Sequence, residues 1–272
     1  MDFVSLIGEI LKDEKIEYFS AVSLEALRIE REYLLTRSNL QRNATAIIFA
    51  IPYFVPTGNG CNVSAYAVPR DYHLYFSELF ERIIPRLREE FPQNKFVGFS
   101  DHSPIDEIHA AALGGLGVIG KNRLLITEKY SSFVFLGEII TDLHLETELH
   151  EIRGCENCGR CEESCPFSIS GECLSELNQK KGTLTEDEIA IIKDSRIAWG
   201  CDVCQNVCPH TEKAVRSGTI ITPIDYFREN RIEKLTSDDV QNMTDEEFAR
   251  RAYSWRKRET ILRNLSITEN QN

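Results

Sequence analysis

The residues best equipped for chemistry in this chain are its cysteines. Nine occur in 272 residues, and all but Cys61 fall between residues 155 and 208. They run Cys155-x2-Cys158-x2-Cys161-x3-Cys165-Pro166, then Cys173, then Cys201-x2-Cys204-x3-Cys208-Pro209. Three thiolates at two-residue spacing wrap one face of an iron–sulfur cubane, and a fourth cysteine placed before a proline crosses to a second cluster. The spacing therefore predicts two [4Fe-4S] clusters, the first on Cys155, Cys158, Cys161 and Cys208. The second takes Cys165, Cys201 and Cys204, with Cys173 in place of the missing first cysteine of the second motif. Structural zinc also accepts Cys-x2-Cys pairs, but it requires neither the doubled Cys-Pro nor the crossed spacing. Cys61, alone, reads as a packed thiol.

Two adjacent clusters form an electron path, and the candidates for its terminus lie upstream. Gly115-x-Gly117-x2-Gly120 matches the dinucleotide fingerprint as a string. A helical pattern (Ile108 to Leu113) precedes it and strand-like RLLIT follows, the reverse of the order the fingerprint needs. Gly115-x4-Gly120-Lys121 falls short of a P-loop because Asn122 stands where a magnesium-binding Ser or Thr is required. The run is either a purely structural turn or one whose backbone approaches a large flat or amide-rich ligand, with Lys121 and Asn122 as polar contacts. Asp101 precedes a helix start, where an acid serves either the helix terminus or, with its pKa raised by burial, as a proton donor. Arg70-Asp71-Tyr72-His73 is equally open: Asp71 is a ready N-cap, and His73 reads as a satisfied surface histidine.

The elements that must position these residues alternate helix and strand up to about Asp142. Helices are predicted over Asp2 to Lys15, Leu24 to Leu35 and Tyr72 to Glu90, the last kinked at Pro85. Ala44 to Phe54, Lys95 to Phe99, RLLIT and FVFLGEIITDL read as strands of a four- or five-stranded sheet. Ser103-Pro104-Ile105-Asp106 reads as an N-cap, a proline at N1 and an acid at N3. A helix is expected near Thr185 to Lys193, and helices resume after Thr222. The fold class is α+β: a mixed α/β domain (1–149), a ferredoxin-like double-cluster domain (150–215) and a helical C-terminal segment (216–272). The net charge of −12 opposes nonspecific binding to nucleic acid or anionic membrane. No apolar run approaches a membrane span and the N-terminus does not read as a signal peptide, so a cytoplasmic location is expected.

Taken together, several segments resemble the epoxyqueuosine reductase family. They are Asp101-His-Ser-Pro, the Gly-Leu-Gly-x-Ile-Gly-Lys-Asn loop, Phe135-Leu-Gly-Glu-Ile-Ile-Thr-Asp142, the cysteine ladder, and Trp199-Gly-Cys-Asp-x-Cys-Gln-x-Val-Cys-Pro209. Ala46-Ile-Ile-Phe-Ala-Ile-Pro-Tyr53 and Arg70-Asp-Tyr-His73 support the likeness, which covers roughly residues 40 to 265. The resemblance implies a cobalamin held between the α/β and ferredoxin-like domains and reduced by two [4Fe-4S] clusters. The substrate implied is epoxyqueuosine in a tRNA anticodon loop, deoxygenated in a two-electron, two-proton step. Asp101 matches the family's proton donor, and Ser64, Asp101, Gly120, Lys121, Asn122 and Leu136 match its cobalamin contacts. An external low-potential electron donor and a monomer are expected, with no membrane partner.

Three departures from the family bear on the substrate. Pro69 stands where the family carries glycine, the sequence stops where larger members begin a helical-repeat extension, and the net charge is acidic. A local basic stretch answers the last point: Arg250, Arg251, Arg256, Lys257, Arg258 and Arg263, with Tyr253 and Trp255 interleaved for base stacking, form a candidate tRNA contact. The other readings are a solvated helix face for that stretch, a related cobalamin reductase of a small molecule, or an electron-transfer protein without corrinoid.

Overall fold

The computed structural model describes residues 3–167 and 173–269. It divides into two compact units: Met1–Pro52 with Tyr75–Asn157, and Tyr53–Leu74 with Cys158–Asn272. The second unit thus takes in a stretch that the sequence reading leaves in the first domain. Backbone bonds explain this: Ser64 N–H donates to the Trp199 carbonyl, Asn62 N–H to Glu233, and Asp71 N–H to Arg250.

The first unit is built on a four-stranded antiparallel sheet of order β1-β2-β6-β3, with β1 Tyr18–Ser23, β2 Thr45–Pro52, β3 Phe96–Phe99 and β6 Val134–Thr141. Every residue of β2 is buried, because both faces of the sheet are covered. On one face α3 (Tyr72–Glu90) packs Phe76 against Phe49, with ring centroids 6.3 Å apart. Gly137 and Gly98 permit this approach, since a Cβ there would lie 2.3 Å from the Phe76 ring and 2.5 Å from that of Phe80. On the other face α4 (Glu107–Leu113) lays Ala110, Ala111 and Ala112 over Ala46, Ile48 and Ile140. The ends of α1 (Phe3–Asp13) and α3 are joined by Arg82–Glu14 and Arg86–Asp13 ion pairs. Asp2, predicted as the first helical residue, lies outside the described residues.

Three expectations are corrected. The helix predicted over Leu24 to Leu35 is broken into a 3-10 turn, Leu24–Ala26, and a short α2, Glu32–Arg37. Between them Ile29 bridges to Ile105, and the N–H groups of Glu30 and Arg31 donate to the Pro104 carbonyl, so tertiary pairing overrides the helical pattern. That bridge also keeps the chain extended through Ile105, so α4 is capped by Asp106, whose side chain accepts from His109 N–H, and not by Ser103. RLLIT contributes only β5 (Leu125–Ile126), which pairs with β4 (Val118–Ile119) in a separate two-stranded hairpin. Tyr72–Glu90 runs as one helix with Pro85 inside it, and Asp71 caps its start by accepting His73 N–H at 3.0 Å.

The second unit is helical, from α5 to α12: Arg160–Glu163, Leu174–Asn178, Glu186–Ser195, Val203–Asn206, Pro209–Ser217, Ser237–Asn242, Asp245–Ala249 and Lys257–Glu269. Thr185, Thr236 and Thr244 close capping boxes at the starts of α7, α10 and α11. One core gathers Trp199, Tyr253, Ile261 and Leu265, and a second gathers Phe167, Leu174, Leu177 and Ile192. Among the described residues no helix is long and apolar enough to cross a membrane.

Candidate functional site

In the first unit the chemistry-bearing residues converge on the start of α4. Asp101 is exposed and sits at φ +63°, a left-handed conformation that costs a non-glycine residue energy. Its N–H donates to Glu107 Oε1 at 3.1 Å, tying the strained turn to the first residue of the helix. Glu138 faces the same place from the sheet. On β6 it pairs in register with Ile48 and lies two residues from Leu136 and Ile140, so it points with them into the layer under α4. It is completely buried, and neither carboxyl oxygen has a partner in hydrogen-bonding geometry; its polar neighbours are the Glu107 carboxyl and the Ser103 hydroxyl.

Two facing carboxyls in so buried a place oppose each other's ionisation, and Arg31 offsets this only on the Glu107 side. Burial, then the charge of Glu107, pushes Glu138 well above the ordinary carboxyl range. Burial also raises Glu107, to about 7, against the hydrogen bonds it accepts. The pair therefore holds a proton at neutral pH beside Asp101. Sequence reasoning passed over both residues, although an acid within the apolar run FLGEIIT was an available signal.

The glycine run resolves into packing. Gly117 has no room for a side chain, since a Cβ would sit 2.3 Å from the Ile126 carbonyl oxygen, and Gly115 has φ +77° with His150 against it. Gly120 N–H closes the hairpin on Leu124 O at 2.8 Å. The turn presents the side chains of Lys121 and Asn122. Lys121 N–H donates to Cys155 Sγ at 3.3 Å, and Asn122 Oδ1 accepts from Leu124 N–H. Leu136 is half-buried on β6, opposite Ala50.

The second unit carries seven of the eight ladder cysteines, and Cys155 belongs to the first. All are free thiols. Helix α5, with Cys161, packs on α8, with Cys204, and Arg160 reaches Glu212 of α9 at 3.4 Å, so the two arms of the ladder lie together. Cys165 and Cys201 flank the same apolar cluster. Burial pushes the Cys201 thiol up to about 12, with Asp202, Cys204 and Cys173 as charge neighbours acting the same way. Cys173 and Cys204 thus both act on Cys201. Among the described residues no three His, Cys, Asp or Glu side chains form a ready metal-ligand group. The donor chemistry is of the type that iron–sulfur ligation uses: free thiols, one of which, Cys155, accepts a backbone N–H.

The Cys201 arm is held by a buried amide network. Asn178 donates to the Gly200 carbonyl at 2.8 Å and accepts Gly200 N–H at 3.1 Å, and Asn264 donates to Asn178 O and Ala198 O. Gly200 is required at φ +68°, where a Cβ would fall 2.4 Å from that of Ser64. Ser64, expected as a cofactor contact, donates its hydroxyl to Asp202 Oδ1 at 2.5 Å, and Asp202 also accepts from Ala65 N–H and Gln205. Asp202 is thus a clamp between the two cysteines of α8's approach, a role invisible in the sequence.

Of the basic stretch, Trp255 is 56% exposed with the Arg256 guanidinium 3.7 Å from its ring centroid. Arg250 pairs with Glu246. Arg251 is buried, and Arg258 donates to the carbonyls of Val240, Met243 and Thr244, closing the ends of α10 and α11.

The two units define an α+β protein that combines a proton-holding carboxyl pair with a ladder of free thiols. By sequence and by fold, the chain is a homologue of the epoxyqueuosine reductases. No family model matches it. An epoxyqueuosine reductase of Gloeobacter violaceus is 32% identical over 207 residues, which is 72% of this chain and 64% of that protein, so the match spans less than two thirds of the relative. The structure of epoxyqueuosine reductase from Streptococcus thermophilus superposes with a TM-score of 0.75 at 23% identity, covering 98% of this chain and 80% of that one. A crystal structure of an epoxyqueuosine reductase with an epoxyqueuosine-modified tRNA-Tyr stem loop gives 0.74 at 20% identity, covering 97% and 80%.

Proposed function

We propose that this protein is an iron–sulfur and cobalamin-dependent oxidoreductase that reduces epoxyqueuosine to queuosine in tRNA. The observation that carries the reading is the cysteine ladder, its two arms packed α5 on α8, in a fold whose likeness to an epoxyqueuosine reductase extends over 98% of the chain. Cys155, Cys158, Cys161 and Cys208 hold one [4Fe-4S] cluster, and Cys165, Cys173, Cys201 and Cys204 the other. When bound, cobalamin reduced through these clusters supplies two electrons to the epoxide carbon framework. Lys121 and Asn122 offer an exposed ammonium and an amide suited to the amide side chains of a corrinoid, with Gly120, Leu136 and Ser64 as further contacts.

The chain's own residues supply the protons. Losing the epoxide oxygen as water requires two, and leaves an alkene. Asp101 donates to the oxygen, and the Glu107–Glu138 pair, hydrogen-bonded to the Asp101 backbone, keeps a proton at neutral pH next to it. Asp101 is exposed, at φ +63°, in a position open to a large RNA substrate.

Anaerobic reconstitution with iron, sulfide and cobalamin tests the reading. About eight irons and one cobalt per chain are expected, with conversion of epoxyqueuosine in an anticodon stem-loop once a low-potential donor is added. The Asp101→Asn variant keeps both metals and loses turnover; unchanged turnover refutes its role as acid. Iron without cobalt identifies an electron carrier, zinc in place of iron overturns the reading, and cobalt without conversion of the stem-loop points to a small-molecule substrate.

A further inference from the structure

The motif Arg70-Asp71-Tyr72-His73 leaves one residue unexplained by helix capping, and that residue opens onto a cavity lined by four arginines. Arg70, Arg231, Arg250 and Arg251 surround a space of about 470 Å³ in the second unit, with Asn230 and Glu247 also on its wall. The walls are fixed by backbone bonds: Asp71 N–H donates to Arg250 O at 2.8 Å, Ile232 N–H to Val68 O at 2.9 Å, and the Tyr226 hydroxyl to Asp71 O at 2.7 Å. The convergence of the arginines is therefore built into the fold and is not a chance of long side chains.

Two of the four are already neutralised. Arg231 pairs with Glu233 at 2.9 Å and donates to the Pro56 carbonyl, and Arg250 pairs with Glu246 at 2.6 Å. The other two have no carboxylate among the described residues. Arg251 is 6% exposed and donates to the Asn230 carbonyl at 2.8 Å. Arg70 lies over the Tyr226 ring, 4.3 Å from its centroid, with its buried Nε lacking any acceptor. Glu247, the acid on the wall, is committed to the cap of α11, accepting the N–H and hydroxyl of Thr244 at 2.8 and 2.9 Å. Burial lowers the pKa of Arg251; the Tyr253 hydroxyl opposes that shift, and the neighbouring Arg70 charge adds to it. Two neighbouring guanidinium groups without a carboxylate, Arg251 buried and Arg70 half-buried, favour an anion that joins them, and forked N–H donors match a phosphate.

We infer that this arginine cavity binds a backbone phosphate of the RNA substrate, with Arg70 and Arg251 as the primary donors and Arg250 at the rim. The inference rests on the RNA substrate proposed above. It gives an acidic protein a local means of holding a polyanion, through cavity arginines more than through the half-buried Arg256 and exposed Lys257.

The test is the affinity of the reconstituted protein for a fluorescent anticodon stem-loop as a function of salt, together with the thermal shift produced by inorganic pyrophosphate. The variants are Arg70→Gln, Arg250→Gln and, outside the cavity, Arg42→Gln. Arg70→Gln is expected to weaken RNA binding about tenfold and to flatten the log–log salt slope by about one, and to abolish the pyrophosphate shift. Arg250→Gln, at an exposed position, should act in the same direction and keeps the test open if the Arg70 variant is unstable; Arg42→Gln should bind as the parent does. RNA binding with unchanged affinity and slope in both cavity variants overturns the inference. If the parent protein binds no RNA yet shows a pyrophosphate shift that Arg70→Gln removes, the RNA source falls with the proposed substrate, and the cavity is a site for small phosphate compounds. If neither RNA slope nor pyrophosphate shift responds, the arginines are structural.

Discussion

Replacing Glu138 by glutamine tests the proton-holding pair without reference to any cofactor. The substitution keeps shape and removes one ionisable group from a site where neither carboxyl oxygen has a hydrogen-bond partner. An acid whose pKa is raised in the folded state binds its proton more tightly there than in the unfolded chain. Its stabilising contribution is complete below the unfolded value, near 4.5, and is lost as pH rises through the folded value, about 7 for Glu107 and higher for Glu138. Between pH 5.5 and 6.5 the folded protein therefore holds two protons that the unfolded chain has released. Each contributes about 1.4 kcal/mol per pH unit to the fall in stability. In Glu138→Gln one of these protons is gone, and Glu107, freed of a like charge, titrates closer to its ordinary range. The slope of unfolding free energy against pH should be shallower than the parent's by at least about 1.4 kcal/mol per unit, and the variant should be the more stable protein above pH 7. Anaerobic urea denaturation at half-unit intervals from pH 5 to 8 measures this. Parallel curves for the two proteins would refute the buried pair.

Two further substitutions separate structural from functional readings. Gly117→Ala places a Cβ against the Ile126 carbonyl and should cost about 1–3 kcal/mol of stability in the same assay; a neutral result would mean the glycine loop is retained for a ligand instead. Arg258→Ala strips hydrogen bonds from three carbonyls at the ends of α10 and α11 and should lower stability by about 2 kcal/mol. A parent-like denaturation midpoint with weakened RNA binding would return Arg258 to the RNA surface.

The features legible in the sequence were those set by local chemistry. The fully buried β2, the capped helix after Thr185 and the Asp71 cap each follow from a short pattern whose outcome no distant residue alters. Leu24 to Leu35 failed because the N–H groups of Glu30 and Arg31 bond to Pro104, more than seventy residues away, and no helical periodicity reports that. The same holds at the sites. The proposed cluster ligands come from cysteine spacing alone, with no reference to the fold. The coupling of Glu107 to Glu138 depends on β6 lying beneath the start of α4, and that of Arg70 to Arg251 on a segment between β2 and α3 joining the helical unit.

Polar satisfaction offers a common measure of these places. Many charged side chains of the described residues end in ion pairs or caps, as the three capping boxes and the Asp202 clamp show. Against that background, the carboxyl pair has a negative charge too many, the Cys201 thiol is held protonated by burial, and the Arg70–Arg251 wall has a positive charge too many. Each arrangement is unfavourable without a partner, and each matches one that the proposed function supplies: a proton, iron, and a phosphate. The proposed reduction of an RNA substrate calls for all three, and these local violations of good packing support that reading more sharply than the surrounding fold does.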